Sequence, residues 1–186
     1  MKCILTFILI ILINIQLNAQ DSNSQNAGDL SNLYTISNKT GTLLNKVFYP
    51  VGKVGNVEIK ILVLTDIPSG IKEIGLNLVK RSQVASGRDQ FGYIDRDEVV
   101  ELINSFKIID DAVSLGLPVQ YTEFIHRTRS NFTFGSYVYS ATKNPEWRYF
   151  LELNPNSEDA SMLMSPTQYS LFSGYIIEAH QKIQEL

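Results

Sequence analysis

The sequence predicts an α+β domain of antiparallel sheet or sheets with two helices, in a duplicated ββββα order. Three observations lead there. Apolar and polar residues alternate over a series of short segments, which is the period of half-buried strands. Two later segments change to helical spacing, and each opens on a capping box, Asp95 with Glu98 and Ser165 with Gln168. The two helical segments also superpose when the chain is shifted by 70 residues. Asp95 then meets Ser165, Val99 meets Tyr169, Leu102 meets Phe172, Phe106 meets Ile176, Ile109 meets Ala179 and Val113 meets Ile183. Ile103 against Ser173 is the core position that breaks the match.

Taken in order, residues 1–19 read as a secretory signal: Lys2, an apolar run from Cys3 to Ile13, and a small residue at Ala19. The run is shorter than the ~18–20 residues of a membrane span, so cleavage is expected rather than anchoring. Residues 20–32 are polar and aperiodic and read as a disordered leader. The folded domain is expected over 33–186, with pseudo-repeats at 42–115 and 119–186. Leu43–Val51 is the first strand. In Asn56–Asp66, Val57, Ile59, Ile61 and Val63 share one face, while Leu62 and Leu64 make the far end apolar on both, so that end is expected to be covered twice. Ile67–Gly70 is a turn, Lys72–Lys80 the third strand and Phe91–Ile94 a short fourth. The helix after Asp95 buries Val99, Leu102, Ile103, Phe106, Ile109 and Val113, until Gly116 and Pro118 stop it. In the second half, Val119–Arg129 alternates as a strand and Ser130-Asn131 makes a tight connection. Phe132–Ser140 follows, with Phe132, Phe134, Ser136 and Val138 on one face, then Trp147–Leu153 and the short Ser161–Met164. A second helix opens with Pro166 at its first position.

The net charge is −3, and −4 once Lys2 leaves with the signal. That mild acidity gives no electrostatic footprint for nucleic acid or an anionic membrane. Cys3 is the only cysteine, so the mature chain has no disulfide, thiol nucleophile or thiolate ligand. Export without disulfides fits a bacterial envelope, and a secreted or periplasmic location is expected.

The Met-Lys start, the Ile/Leu-rich run and the Leu17-Asn18-Ala19-Gln20 end resemble exported proteins of the Bacteroidota. Tyr93-Ile94-Asp95-Arg96-Asp97-Glu98 and Tyr121-Thr122-Glu123 are similar to segments of uncharacterised secreted proteins of that group. The resemblance implies export and brings no activity with it. In topology alone, the ββββα–ββββα order resembles the single-stranded-DNA-binding regulators of the Whirly and Pur-alpha type, and it carries no functional residue over.

The chemistry-bearing residues are sparse. His126 and His180 have no companion at ligand spacing, so no metal site is expected. Gly-rich phosphate loops are absent, Gly52, Gly55 and Gly70 read as turn glycines, and no cofactor is expected. His126 has no Gly-x-Ser-x-Gly elbow to place a serine beside it. Asp95, Asp97 and Glu98 cluster at a helix N-terminus, where capping and the helix dipole favour acids. The most informative strand is Val119–Arg129. Its period places Tyr121, Glu123, Arg127 and Arg129 on one face with Ile125 among them, and Trp147, Tyr137 and Tyr139 offer stacking surfaces nearby. This face reads either as a salt-bridged sheet surface or as a binding patch comprising Tyr121, Glu123, Arg127, Arg129 and Trp147. The expectation is an exported, non-enzymatic binding or interaction module whose ligand the sequence does not name, with a protein, an anionic group or a carbohydrate as the candidates. Two alternatives stay open: a hydrolase built from scattered carboxylates, and a single-stranded nucleic-acid-binding fold, against which charge and export both argue.

Overall fold

The computed structural model describes residues 30–82, 87–138, 144–154 and 160–186. The expected signal at 1–19 and the leader up to residue 29 lie outside the described residues, as does Tyr139.

Among the described residues, eight strands form two four-stranded antiparallel sheets, each in sequence order and each followed by a long helix. Sheet 1 contains β1 (Leu44–Val54), β2 (Val57–Asp66), β3 (Ile71–Lys80) and β4 (Gln90–Asp95), and leads into α2 (Arg96–Ser114). Sheet 2 contains β5 (Thr122–Arg127), β6 (Thr133–Val138), β7 (Trp147–Glu152) and β8 (Ser161–Met164), and leads into α3 (Pro166–Ile183). The predicted duplication is therefore present, as two separate sheets. A short α1 (Asn32–Ser37) precedes them.

One hydrophobic core joins the two halves. α2 packs on β3, β4 and β5, whereas α3 packs on β1–β3 and on β7 and β8, and the helices meet each other. Val99, Leu102, Phe106 and Ile109 of α2, and Tyr169, Phe172, Ile176, Ala179 and Ile183 of α3, are all buried there. These are the residues that superpose in the sequence, because equivalent stripes do equivalent work in each half. Sheet 1 contributes Ile59, Ile61, Leu76, Leu78 and Ile94, and sheet 2 contributes Phe134, Tyr149 and Leu151. The rings of Phe106 and Phe134 meet edge to face with centroids 5.0 Å apart, and Phe134 stacks on Phe172 at 5.7 Å. Burying each such ring contributes about 1.5–3 kcal/mol.

Two features depart from the sequence reading. Ser31 and Asn32, expected in the leader, cap and open α1: the Ser31 hydroxyl accepts the Tyr34 N–H. This helix covers the outer face of sheet 1 over β2–β4, where Leu33, Leu62 and Leu64 form a second cluster. The doubly apolar end of β2 is thus covered twice, as predicted, by an element that was not. Gly75 makes room for it: a Cβ there would lie 2.5 Å from Leu33 Cδ1 and 2.3 Å from the Ile94 carbonyl. Gly52, read as a turn residue, instead lies within β1 at a register shift, beneath the ring of Tyr175.

Candidate functional site

β5 is shorter than the predicted Val119–Arg129. Tyr121 precedes it, and after Arg127 the chain turns, with the Thr128 N–H donating to the Phe132 carbonyl at 2.9 Å and Asn131 at φ 65°. Within β5, burial alternates as the period predicts: Glu123, Ile125 and Arg127 are exposed, while Thr122, Phe124 and His126 are half-buried toward the core. Cross-strand partners share a face, so register assigns the outer surface of sheet 2. One row runs Glu123, Tyr137, Arg148. The middle row runs Ile125, Gly135, Phe150, Leu163, and the third Arg127, Thr133, Glu152, Ser161. Phe150 lies across Gly135, where a Cβ would meet its ring at 2.6 Å, and it packs on Tyr137 with centroids 6.1 Å apart. Ile125 is 53% exposed and Leu163 is 65% exposed. None of Ile125, Tyr137, Phe150 or Leu163 belongs to the two hydrophobic clusters of the described residues.

Two predicted site residues lie elsewhere. Trp147 pairs with Val138 and so with Thr122, on the core-facing side of sheet 2. There its ring lies against Phe124 at 5.8 Å and its indole N–H donates to the Gly116 carbonyl at 3.1 Å. Its role is to hold the end of α2 to the sheet. Arg129 lies beyond the strand and crosses to the N-terminus of α2. Its guanidinium pairs with Asp97, with Asp95 at 3.1 Å and with Glu98 at 3.4 Å. Glu123 and Arg127 are not bridged through β6 either, since Tyr137 and Thr133 stand opposite them.

The acids around Arg129 are structural. The Asp95 carboxylate accepts from the Ser31 hydroxyl at 2.9 Å and from the backbone N–H groups of Asn32 at 2.8 Å and Leu33 at 3.0 Å. It therefore caps α1 from a distance while sitting at the N-cap of α2. Glu98 accepts the Asp95 N–H at 3.1 Å and the Arg129 N–H at 2.7 Å, and burial nevertheless pushes its carboxyl above the usual range. Beside them a cleft of about 430 Å³ is lined by Asn32, Glu73, Asp95, Arg96, Asp97, Val100, His180 and Gln184. Glu73 is raised there by burial first, then by the charges of Asp95 and Asp97.

His126 meets Ser105 of α2, with Nδ1 2.9 Å from the hydroxyl oxygen. Ser105 Oγ also lies 3.0 Å from the Glu101 carbonyl. With the hydroxyl proton on that carbonyl, Nδ1–H donates to Ser105 and Nε2 becomes a bare acceptor. Nε2 is buried without a hydrogen-bond partner. A nucleophilic serine needs a base that takes its proton and a carboxylate that orients the base. Here the serine proton is engaged by the helix and no carboxylate among the described residues hydrogen-bonds the ring, so the pair ties β5 to α2. Burial lowers the His126 pKa, with Glu101 opposing. Among the described residues, no group of three or more His, Asp and Glu side chains is arranged to hold a metal ion.

Of the expected patch, Tyr121, Glu123 and Arg127 remain together, and the sheet adds Ile125, Tyr137, Arg148, Phe150, Glu152 and Leu163. The signal for Arg148, Phe150 and Glu152 was their shared parity against buried Tyr149 and Leu151. No family model, curated protein or solved structure matches the chain.

Proposed function

We propose that this protein is an exported, non-enzymatic interaction module whose contact surface is the outer face of sheet 2. One observation carries the reading. The equivalent face of sheet 1 is covered by α1 over β2–β4 through Leu33, with Phe48 of the edge strand β1 left 47% exposed, whereas on sheet 2 no element of the described residues covers Ile125, Phe150 and Leu163, which share one row beside Tyr137, and Ile125 and Leu163 are largely in water. Contiguous apolar surface rimmed by charge marks contact sites on soluble proteins. The chemistry favours a protein partner over a sugar. The centre holds aliphatic side chains as well as rings, both signs of charge surround it, and the groups stand in rows across a pleated surface rather than converging on a concavity. Two arginines against two glutamates give no basic stripe for a nucleic-acid strand.

The test compares wild type with Ile125→Lys/Leu163→Lys as bait in extracts of the source cells. The reading predicts a partner identified by mass spectrometry that binds the purified protein and loses at least about tenfold in affinity with the double variant. Equal binding to both baits, with both equally folded, overturns it.

A hydrolase reading has one observation in its favour, the raised Glu73 carboxyl beside Asp97 in an open cleft. It requires Glu73→Gln to abolish turnover of some glycoside that the wild type hydrolyses.

A further inference from the structure

We infer that the partner of the sheet-2 face is a second copy of the same chain. The inference rests on the reading above and names its occupant. Charges on this face follow a rule visible in the register. On β5, Glu123 stands at one end and Arg127 at the other. On β7 the order is reversed, Arg148 opposite the Glu123 end and Glu152 opposite the Arg127 end. Gly135 of β6 lies at the centre, with the Phe150 ring across it and Ile125 and Leu163 in the same row.

That arrangement is self-complementary. Twofold partners present the same patch to each other, and the axis lies in the plane of contact. With the axis parallel to the strands, β5 of one copy faces β7 of the other, so Glu123 meets Arg148 and Arg127 meets Glu152. With the axis perpendicular to the strands, each strand faces its own counterpart reversed, so Glu123 meets Arg127 and Arg148 meets Glu152. Both orientations place opposite charges face to face at all four corners, but the parallel axis, centred on β6, leaves Leu163 of β8 beyond the partner's β5, whereas the perpendicular axis lays the whole apolar row on its own copy and is the arrangement inferred. A face with its charges sorted otherwise, acids on one strand and bases on the other, would meet like charge in the second orientation. The charges of the four groups are largely unneutralised within one copy, although Glu123 hydrogen-bonds with Tyr121 and Arg127 Nε donates to the Thr133 hydroxyl at 3.4 Å. Among the described residues Glu123, Arg127 and Glu152 enter no ion pair, and Arg148 reaches only the exposed Glu146, at 3.5 Å.

Size sets the strength. Four strands about 4.8 Å apart and six residues of about 3.3 Å cover on the order of 400 Å² in projection per copy. The two copies together bury on the order of 800 Å² in projection, below the ~1,000–1,200 Å² of stable interfaces, so weak pairing of roughly 10–100 μM or above is expected, weakening with salt as the rim charges are screened.

The experiment is sedimentation velocity on the full chain from about 1 μM to about 1 mM, with two charge variants. Glu123→Lys/Glu152→Lys makes the face wholly basic, and Arg127→Glu/Arg148→Glu makes it wholly acidic. Wild type is expected to dimerise with rising concentration, each variant alone to pair at least tenfold more weakly, and an equimolar mixture of the two to pair again. Because mixing restores pairing only if both variants are folded, it separates repulsion from misfolding, and Leu163→Lys, at a largely exposed position, gives a second disruption. A wild type that stays monomeric to about 1 mM, or variants that pair as well as wild type, overturns the inference. If the wild type is monomeric while the Ile125→Lys/Leu163→Lys bait still loses a partner, self-pairing fails and the interaction reading stands. If neither holds, both fail.

Discussion

Replacing Arg129 by Gln probes the polar junction that ties the second half of the chain to the first. Arg129 comes from the turn after β5, while its partners Asp95, Asp97 and Glu98 open α2, and Asp95 in turn holds the first N–H groups of α1. Asp95 and Glu98 are 3% and 6% exposed. Removing the guanidinium leaves two desolvated carboxylates without their cation. Breaking a fully buried ion pair costs about 3–5 kcal/mol. The Arg129 side chain is 30% exposed, so solvent screens part of that loss and about 2–3 kcal/mol remains. With a urea slope of about 2 kcal/mol per molar, the unfolding midpoint should fall by roughly 1–1.5 M. The loss also carries a pH signature. Acidification into the carboxylate range neutralises the orphaned Glu98, so the gap between wild type and variant should narrow as the pH falls toward about 4. Glu98 leads, because burial already pushes its carboxyl upward. A midpoint shift under about 0.3 M at pH 7, or a gap that widens on acidification, would refute the argument that these charges are desolvated.

Leu33→Ala removes the side chain that α1 inserts over Gly75; the residue is fully buried, and a loss of about 2–4 kcal/mol is expected in chemical denaturation. Burial lowers the His126 pKa below that of the unfolded chain, so its contribution is complete above about pH 6.5 and is lost as the pH falls below it. His126→Gln should therefore flatten the fall in stability between about pH 7.5 and pH 5.5, with a change of at most about 1.4 kcal/mol per pH unit; equal pH profiles would count against a neutral buried ring. Trp147→Phe keeps the contact with Phe124 but loses the donor to the Gly116 carbonyl, and a cost near 1 kcal/mol with unchanged face-dependent binding is expected, since the ring lies on the core side of sheet 2.

The elements that show in the sequence are those whose signals are local. The two capping boxes, the paired helical stripes and the alternation of Phe132, Phe134, Ser136 and Val138 are fixed by neighbours a few residues apart, and all appear where expected. α1 escapes because its one local signal, the Ser31 cap on the Tyr34 N–H, is weak for six residues: its N-terminus is also held by Asp95, more than 60 residues away, and Leu33 packs on Leu62 and Leu64 over a glycine of another strand. Its shadow was visible in Leu62 and Leu64, which needed a cover. Arg129 was misplaced because the period of two was carried past the end of β5, although Ser130-Asn131 marked the turn. Trp147 was misplaced because parity on one strand says nothing about another until register relates them. Its own strand held the answer: Trp147 alternates with buried Tyr149 and Leu151, which sends Arg148, Phe150 and Glu152 to the other side.

The claim that the outer face of sheet 2 pairs with a second copy of the chain is tested most directly by a thiol placed on it. With Leu163→Cys, maleimide labelling at position 163, read by peptide mapping that separates it from Cys3, should slow several-fold between about 1 μM and about 1 mM protein, while Lys107→Cys on the exposed side of α2 labels at one rate throughout. Equal and unchanging rates at both positions would contradict it.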